Sequence, residues 1–511
     1  MYSCITNKKE PQMNAYEIES SIAEGQEFCE RLFDFVRKNA EEQEAHEMEA
    51  AIFKKLIPIG QAAMKAYFAE RGTGDIGKEI QREDGEILKR ESVLRSRQYT
   101  SIFGAFPVPR TCYRMAGEPG VFPLDEAVNL PERCYSYYLQ EWMNLLSIDH
   151  PFAEGADRLN HWFGFSLVES TMVSVSRDGD RNYDEYYEQK TPPAAEEEGE
   201  MLVLSFDGKG VPMIKSEAAQ IQAKLGKGEK RQKKKEALVG VSYSVDKKER
   251  SADELAERLV KPEEYRARRE EKKNEEDEPK GRNIRRMASV KRAKVDVMTE
   301  MKKDVERRDP RQIKPLVMLL DGALGLWSLV IHLMMDWKGP VTYILDIIHV
   351  RDYLWDAANA LHEEESAAGR VWVQEKLEQI LKGGVGYVIG GLKQTITKRG
   401  LKGNKRKALE KAIKYFERHK KWMAYDQYLA AGMPVATGMV ESACSSVVKK
   451  RMEGEGKRWS VDGAEAILLL RSLQKSNDFI TYWRFHAIQE RKRLYESQLN
   501  YAPILHLALA A

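Results

Sequence analysis

The chain has 511 residues, long enough for several domains and at least one large core. Charged residues make up 32%, but 82 basic and 80 acidic side chains nearly cancel. Net charge therefore excludes a uniformly basic or acidic protein, and only local clusters can report on partners. Five scattered cysteines (Cys4, Cys29, Cys112, Cys134 and Cys444) with no CxxC pair exclude a disulfide framework and point to a reduced, cytoplasmic setting. The first twenty residues carry no apolar signal-peptide core.

Taken in chain order, residues 15–97 show Leu, Phe and Ile recurring at three and four, which predicts an N-terminal helical region over 1–98. From "YTSIFGAFPVPRTCYRMAGEPGVFPLD" the texture turns β-branched, aromatic and Gly/Pro-rich, predicting a small β-rich module at 99–135. Helical periodicity returns over 136–190. There "HWFGFSLVES" parts two helical patterns, with Gly164 suited to a turn and Ser166 to an N-cap. That is a helix-turn-helix-like pattern for a DNA-binding domain, and an αα-hairpin serving only packing reads the same way. The polar, Pro-containing "EQKTPPAAEEEGE" predicts a linker at 191–200.

Next come apolar strands: "MLVLSFDGKG" reaching Asp207, "ALVGVSYSV" (237–245), "PLVMLL" ending at Asp321 and "VTYIL" ending at Asp346. The charged excursion 246–312 reads as helix with a mobile stretch rather than core. Residues 315–337 mimic a membrane span, but Asp321 inside them makes a strand, a turn and an apolar helix (323–335) the better reading. Helices run on to about 430, with a Gly-rich break at "KGGVGYVIGG". The block from Gly438 to about 485 is helical, and 486–511 is a tail. The fold class expected is an α/β core of mixed sheet and flanking helices, interrupted by a helical insertion at 351–435. A mainly α N-terminal region precedes it.

Asp207, Asp321 and Asp346 each follow an apolar strand, and ligand chemistry gathers at the carboxyl ends of strands in α/β sheets. Each one alone also suits a turn or a helix cap. Glu441, in "ATGMVESACSSVVKKRM", sits in the first turn of a helix that Gly438 can cap, where a carboxylate offsets the helix dipole. Strand-end carboxylates plus a helix carboxylate offer hard oxygen ligands for Mg²⁺ or Mn²⁺. His349, three residues after Asp346, suits a scissile phosphate or the support of a metal ligand, and equally a packed position behind an Asp cap. Basic residues cluster at 224–236, with seven Lys/Arg against two Glu, and at 398–421, with eleven against two. Such clusters beside a carboxylate site are what phosphate-backbone binding requires.

The segments "SFDGKGVPM", "LLDGALGLW", "YILDIIHVRDYLWDAA" and "GMVESACSSVVKKRMEGEGKRWSVDGAEAILLLRS" resemble bacterial insertion-sequence transposases of the DDE class. The group most resembled is the Kra-type family allied to Mutator-like transposases. The likeness spans 201–350 and 436–485. It implies an RNase H-like catalytic core and a catalytic and metal-binding triad of Asp207, Asp321 and Glu441, spaced 114 and 120 residues apart and served by two Mg²⁺ or Mn²⁺ ions. Asp346 and His349 match the family's Asp-x-x-His signature and are expected in a supporting, phosphate-facing role. The implied activity is nicking of element ends by activated water, followed by attack of the freed 3′-hydroxyl on target DNA. The implied partners are element-end DNA, target DNA and a second copy of the chain, at the nucleoid and without a membrane. Lys227, Lys230, Arg231, Lys233, Lys234, Lys235, Lys402, Lys405, Arg406, Lys407, Lys449, Lys450, Arg451, Lys457, Arg458 and Trp459 are the expected DNA contacts, although Trp459 suits the core equally well. The zinc-knuckle cysteines of such relatives are missing, since Cys112 and Cys134 stand apart, and no structural zinc is expected. A nuclease without joining activity and a catalytically idle DNA-binding protein remain the alternatives.

Overall fold

The structure, a computed structural model, describes residues 17–82, 85–221, 233–271, 279–364, 366–454, 456–496 and 501–503. Two compact units divide the chain, Met1–Tyr186 with Ile480–Ala511, and Tyr187–Phe479.

The first unit opens with paired helices, Ile18–Asn39 and Ala45–Arg71. The helix predicted over 15–97 stops at Arg71, and strands Glu79–Arg82 and Ile87–Arg90 follow as an antiparallel pair with Ile80 opposite Leu88. Those two side chains are fully buried with Tyr113, beside Val121, while Gln81, Ile87 and Lys89 next to them are exposed. This is a period-2 pattern around a turn at Gly85 (φ 87), which helix counting overlooks. Strands Arg95–Ser101 and Gly104–Arg110 pair next, and Phe106 and Val108 pack on Phe68, Leu124 and Leu130.

Helices Tyr137–Asp149, Phe152–Phe163, Glu169–Gly179 and Tyr183–Gln189 fill the 136–190 segment. Gly164 ends the second of these in the left-handed conformation, as its position suggested. Ser166 does not cap the third, which starts three residues later. The Asn160 side chain both accepts from the Leu167 N–H (2.8 Å) and donates to its carbonyl (2.9 Å), holding the connection extended. Residues beyond 485, expected as a tail, extend the helix Phe479–Tyr495. In that helix the Tyr482 hydroxyl donates to the Gly179 carbonyl (2.6 Å) and the Trp483 indole to that of Tyr137 (3.0 Å).

The second unit is built on a mixed five-stranded sheet. Its strands are β1 (Met201–Pro212), β2 (Lys234–Val245), β3 (Arg282–Ser289), β4 (Leu316–Leu320) and β5 (Val341–Leu345), in spatial order β5-β4-β1-β2-β3. β2 runs antiparallel to both β1 and β3, and β4 and β5 run parallel to β1. β4 and β5 are short apolar runs with the bounds the sequence predicts, because parallel strands covered on both faces carry apolar residues throughout. β1 departs from expectation: it continues five residues past Asp207, paired with the start of β2.

The charged excursion also departs from expectation. It contains β3 and a helix, α1 (Lys294–Arg308), that buries Val297, Met298, Met301 and Val305. β3 carries charge because it is an edge strand, and its one inward guanidinium, Arg285, is neutralised by Glu300 and Asp304. The expected linker, 191–200, contains Glu198, which is buried and bidentately paired with Arg308 at 2.7 Å on each oxygen.

Beyond the sheet come α2 (Leu324–Leu333), α3 (Ile347–Leu361), α4 (Ala367–Leu381), α5 (Val385–Lys398), α6 (Gly403–His419), α7 (Gly438–Ala443) and α8 (Val461–Lys475). The Gly-rich break is confined to Lys382–Gly384, where Gly383 has φ 81. The other glycines of that stretch lie inside α5. α8 is buried on nearly every face. Its Glu465 accepts from the Ser289 hydroxyl (2.7 Å) and the Val290 and Lys291 N–H groups (2.9 and 3.0 Å), tying it to the end of β3. Among the described residues no helix is long and apolar enough to cross a membrane.

Candidate active site

Sheet register builds the site. Phe206 of β1 pairs with Leu320 of β4, and Leu320 pairs with Leu345 of β5, so the three residues stand side by side. The next residue on each strand is Asp207, Asp321 or Asp346, which places three carboxylates in a row across one end of the sheet. The Ser205 hydroxyl donates to the Leu319 carbonyl (2.6 Å), and the Asp346 N–H to the Leu320 carbonyl (2.9 Å), which fixes the spacing.

Asp346 is fully buried and caps α3. One carboxylate oxygen accepts the N–H groups of Ile348 (2.9 Å) and Thr437 (3.2 Å), and the other accepts the Thr437 hydroxyl. Burial pushes its pKa up to about 6 against the pull of those donors and of His349, whose Nε2 lies 4.0 Å away. The clamp also anchors the start of α7. Thr437 takes the N-cap position expected for Gly438, but its hydroxyl serves Asp346 rather than the helix.

Asp321 forms a turn, accepting the Ala323 N–H (3.0 Å), while its own carbonyl accepts the Trp327 indole N–H (2.5 Å). Burial raises its pKa, the Ala323 N–H opposes this, and the negative charge of Asp207 raises it further. Asp207 accepts the Gly208 N–H (2.6 Å) on one oxygen and the Cys444 thiol (3.2 Å) on the other. Burial, together with Asp207 and Glu441, pushes that thiol well above its usual range, so it is a neutral donor and not a nucleophile.

Glu441 lies in the first turn of α7, one turn before Cys444. At Cys444 the helix passes into a π-helical segment, Cys444–Lys449. The widened turn has a visible cause: the buried Arg471 guanidinium of α8 donates to the carbonyls of Val447 (2.6 Å) and Ser446. Such π-bulges are most often found at functional sites.

Among the described residues, ligand atoms of Asp346, His349 and Glu441 lie within 4.8 Å of one another, close enough to share one cation. The expected grouping of Asp207, Asp321 and Glu441 is not the one that closes to that distance. Asp207 and Asp321 instead continue the row beside it. Sequence reasoning gave Asp346 and His349 supporting roles, and it missed Cys444, Thr437 and Arg471. None of these three carries a local signal, since each acts through a residue distant in the chain.

The expected DNA contacts fall into three groups. Lys227, Lys230 and Arg231 lie outside the described residues. Lys233, Lys234, Lys402, Lys405, Arg406, Lys407, Lys449, Lys450 and Arg458 are exposed, with Lys235 and Lys457 half-buried. Arg451 and Trp459 are buried against each other, the guanidinium 4.6 Å from the ring centroid, and the indole donates to the Met452 carbonyl. They are core residues and not surface contacts.

No family model matches the chain, and no curated protein matches it. Among solved structures it is similar to a chain of the Drosophila P element transposase strand transfer complex, at 9% identity and a TM-score of 0.25, over 68% of this chain and 80% of that one. A TM-score of that size does not establish a shared fold.

Proposed function

We propose that the chain is a divalent-metal-dependent transposase of the DDE class, of the Kra-type insertion-sequence family allied to Mutator-like transposases, acting on the phosphodiester backbone of DNA. The observation that carries the reading is the acidic row, in which Asp207, Asp321 and Asp346 stand in register at one end of the sheet with Glu441 and His349 brought against it. The strand order and directions, three antiparallel strands followed by two parallel ones, support an RNase H-like core.

The donor set fits Mg²⁺ or Mn²⁺. Asp207, Asp321 and Glu441 offer hard carboxylate oxygens, Asp346 and His349 stand within reach of Glu441, and no Lys or Arg is paired with the row in the described structure. A divalent ion held there supplies Lewis-acid activation of water and of the phosphodiester. The chain's own contributions follow from position. Asp346 is fixed by three donors and orients His349 on the next turn of α3. His349, whose side chain is 40% exposed, can present its ring to a phosphate oxygen. The exposed Lys402, Lys405, Arg406, Lys407, Lys449, Lys450 and Arg458 supply positive charge for the DNA backbone, and Lys233–Lys235 extend it from β2. The helices of 136–190 are the proposed readers of element ends, in a dimer that pairs the two ends.

Incubation of the full chain with end-sequence DNA and Mg²⁺, alongside Glu441→Gln, tests the proposal. Joined product from the wild type alone is expected. Cleavage without joining would leave a nuclease, and binding without cleavage would leave a DNA-binding protein.

A further inference from the structure

The turn that carries Asp321 is enclosed by aromatic rings from two sources. Trp327 on α2 donates to the Asp321 carbonyl, and its ring stacks on Trp422 with centroids 3.8 Å apart and planes 10° from parallel. Trp422 lies in a short 3₁₀ turn, Lys420–Trp422, directly after α6. On α6 itself, His419 packs 5.8 Å from Trp422 and 4.5 Å from Tyr415, and Tyr415 stacks on Tyr353 of α3 at 3.8 Å and 16°. Gly322, the residue after Asp321, lies under the Tyr415 ring so closely that any Cβ there would drive into it. The rings therefore form a closed series from Tyr353 through Tyr415, His419 and Trp422 to Trp327 and the Asp321 carbonyl.

This arrangement is more than core filling. Trp327 and His419 are each 1% exposed, yet the series ends in a directed hydrogen bond to the backbone of one carboxylate residue. His419 also donates from Nδ1 to the Tyr415 carbonyl (2.8 Å), which locks its ring orientation. Burial lowers its pKa from the usual histidine value. Displacing α6 would move Trp422 and Tyr415 together, and with them both faces of the Asp321–Gly322 turn.

We infer that Trp327, Trp422, His419 and Tyr415 are positioning residues, through which the helices inserted between β5 and Glu441 set the Asp321 carboxylate for metal binding. The inference rests on the reading of the acidic row as a divalent-metal site. Groups that orient ligands from behind commonly govern metal affinity by about 10–100-fold.

Mn²⁺ titration of the full chain, followed by electron paramagnetic resonance, tests it together with thermal melting. Trp327→Phe keeps an aromatic ring facing Trp422 and removes the indole N–H together with some buried volume. About a tenfold weaker Mn²⁺ affinity is expected in the folded variant, with the lost volume read separately as a lower melting temperature. Trp422→Leu should weaken binding more than Trp422→Phe, which retains a ring. This second pair decides the matter if Trp327→Phe does not fold. Wild-type affinity in the folded variants overturns the positioning role and leaves the metal site standing. Failure of the wild type itself to bind Mn²⁺ removes the metal site and the positioning role together.

Discussion

One sheet carries two sets of buried acids, and they are treated in opposite ways. On the β2–β3 flank, Glu198 meets Arg308, while Glu300 and Asp304 meet Arg285. Burial alone would raise Glu198 and Asp304, but the neighbouring guanidinium groups more than offset it and hold both below the usual carboxylate range. At the acidic row, burial raises Asp321 and Asp346, and the hydroxyl, backbone N–H groups and histidine beside them do not offset it, while the charge of Asp207 adds to the rise at Asp321. Acids matched by arginine within the chain are structural. Acids without an arginine partner, raised in pKa at a strand end, are what the proposed cation site requires.

The largest expected effect breaks the row. Asp207→Asn or Glu441→Gln should lower strand cleavage by a factor on the order of 10³ or more, with DNA binding retained in a filter assay. Activity within tenfold of wild type would remove either residue from the chemistry. On the other flank, Arg308→Met leaves Glu198 buried without its partner and should cost about 3–5 kcal/mol in denaturant unfolding. A loss below 1 kcal/mol would show that the pair is not structural.

The pH dependences should have opposite signs. A carboxylate whose folded pKa is raised stabilises the protein at low pH, and loses that contribution as pH rises through the folded value. Asp346 therefore costs stability above about pH 6. Asp346→Asn should raise stability by about 2 kcal/mol at pH 8, with the gain gone by about pH 4. Glu198, depressed in the fold, contributes above the ordinary carboxylate range and loses that contribution as pH falls, so Glu198→Gln should destabilise most at neutral pH and least in acid. Parallel melting curves for the two variants would erase the contrast. The smallest effect is on the surface. Replacing Lys402, Lys405, Arg406 and Lys407 by Ala should leave stability within about 0.5 kcal/mol. DNA affinity should weaken uniformly across sequences, and each lost phosphate contact should reduce the salt slope by about one.

Much of the sheet was legible because its physics is local. Leu316–Leu320 is an unbroken apolar run buried throughout, and Val341–Leu345, half-buried over its first three residues, is interrupted only by Thr342. β3 was not legible, because Arg285 and Arg286 look like solvated charge until Glu300 and Asp304 of α1 meet Arg285 and the Lys475 carbonyl meets Arg286. The hairpin at Glu79–Arg90 was hidden by helical spacing in a charge-rich segment. Asp321 and Asp346 could be singled out by their place after a strand, although Asp207 turned out to lie within one. Their grouping could not be foreseen, since the approach of Glu441 to Asp346 depends on the Thr437 clamp, and the π-turn is braced by Arg471, 24 residues beyond Val447.

That π-turn sets a phase. An α-helix advances about 100° per residue, so one extra residue between Glu441 and Lys450 rotates everything after it by roughly that angle about the axis. The π-turn thus sets the angle between Glu441 and the lysine pair, and the Arg471 guanidinium braces it. Deleting Ser445 should restore an ordinary helix, keep every charged residue, and rotate Lys449 and Lys450 by about 100° relative to Glu441.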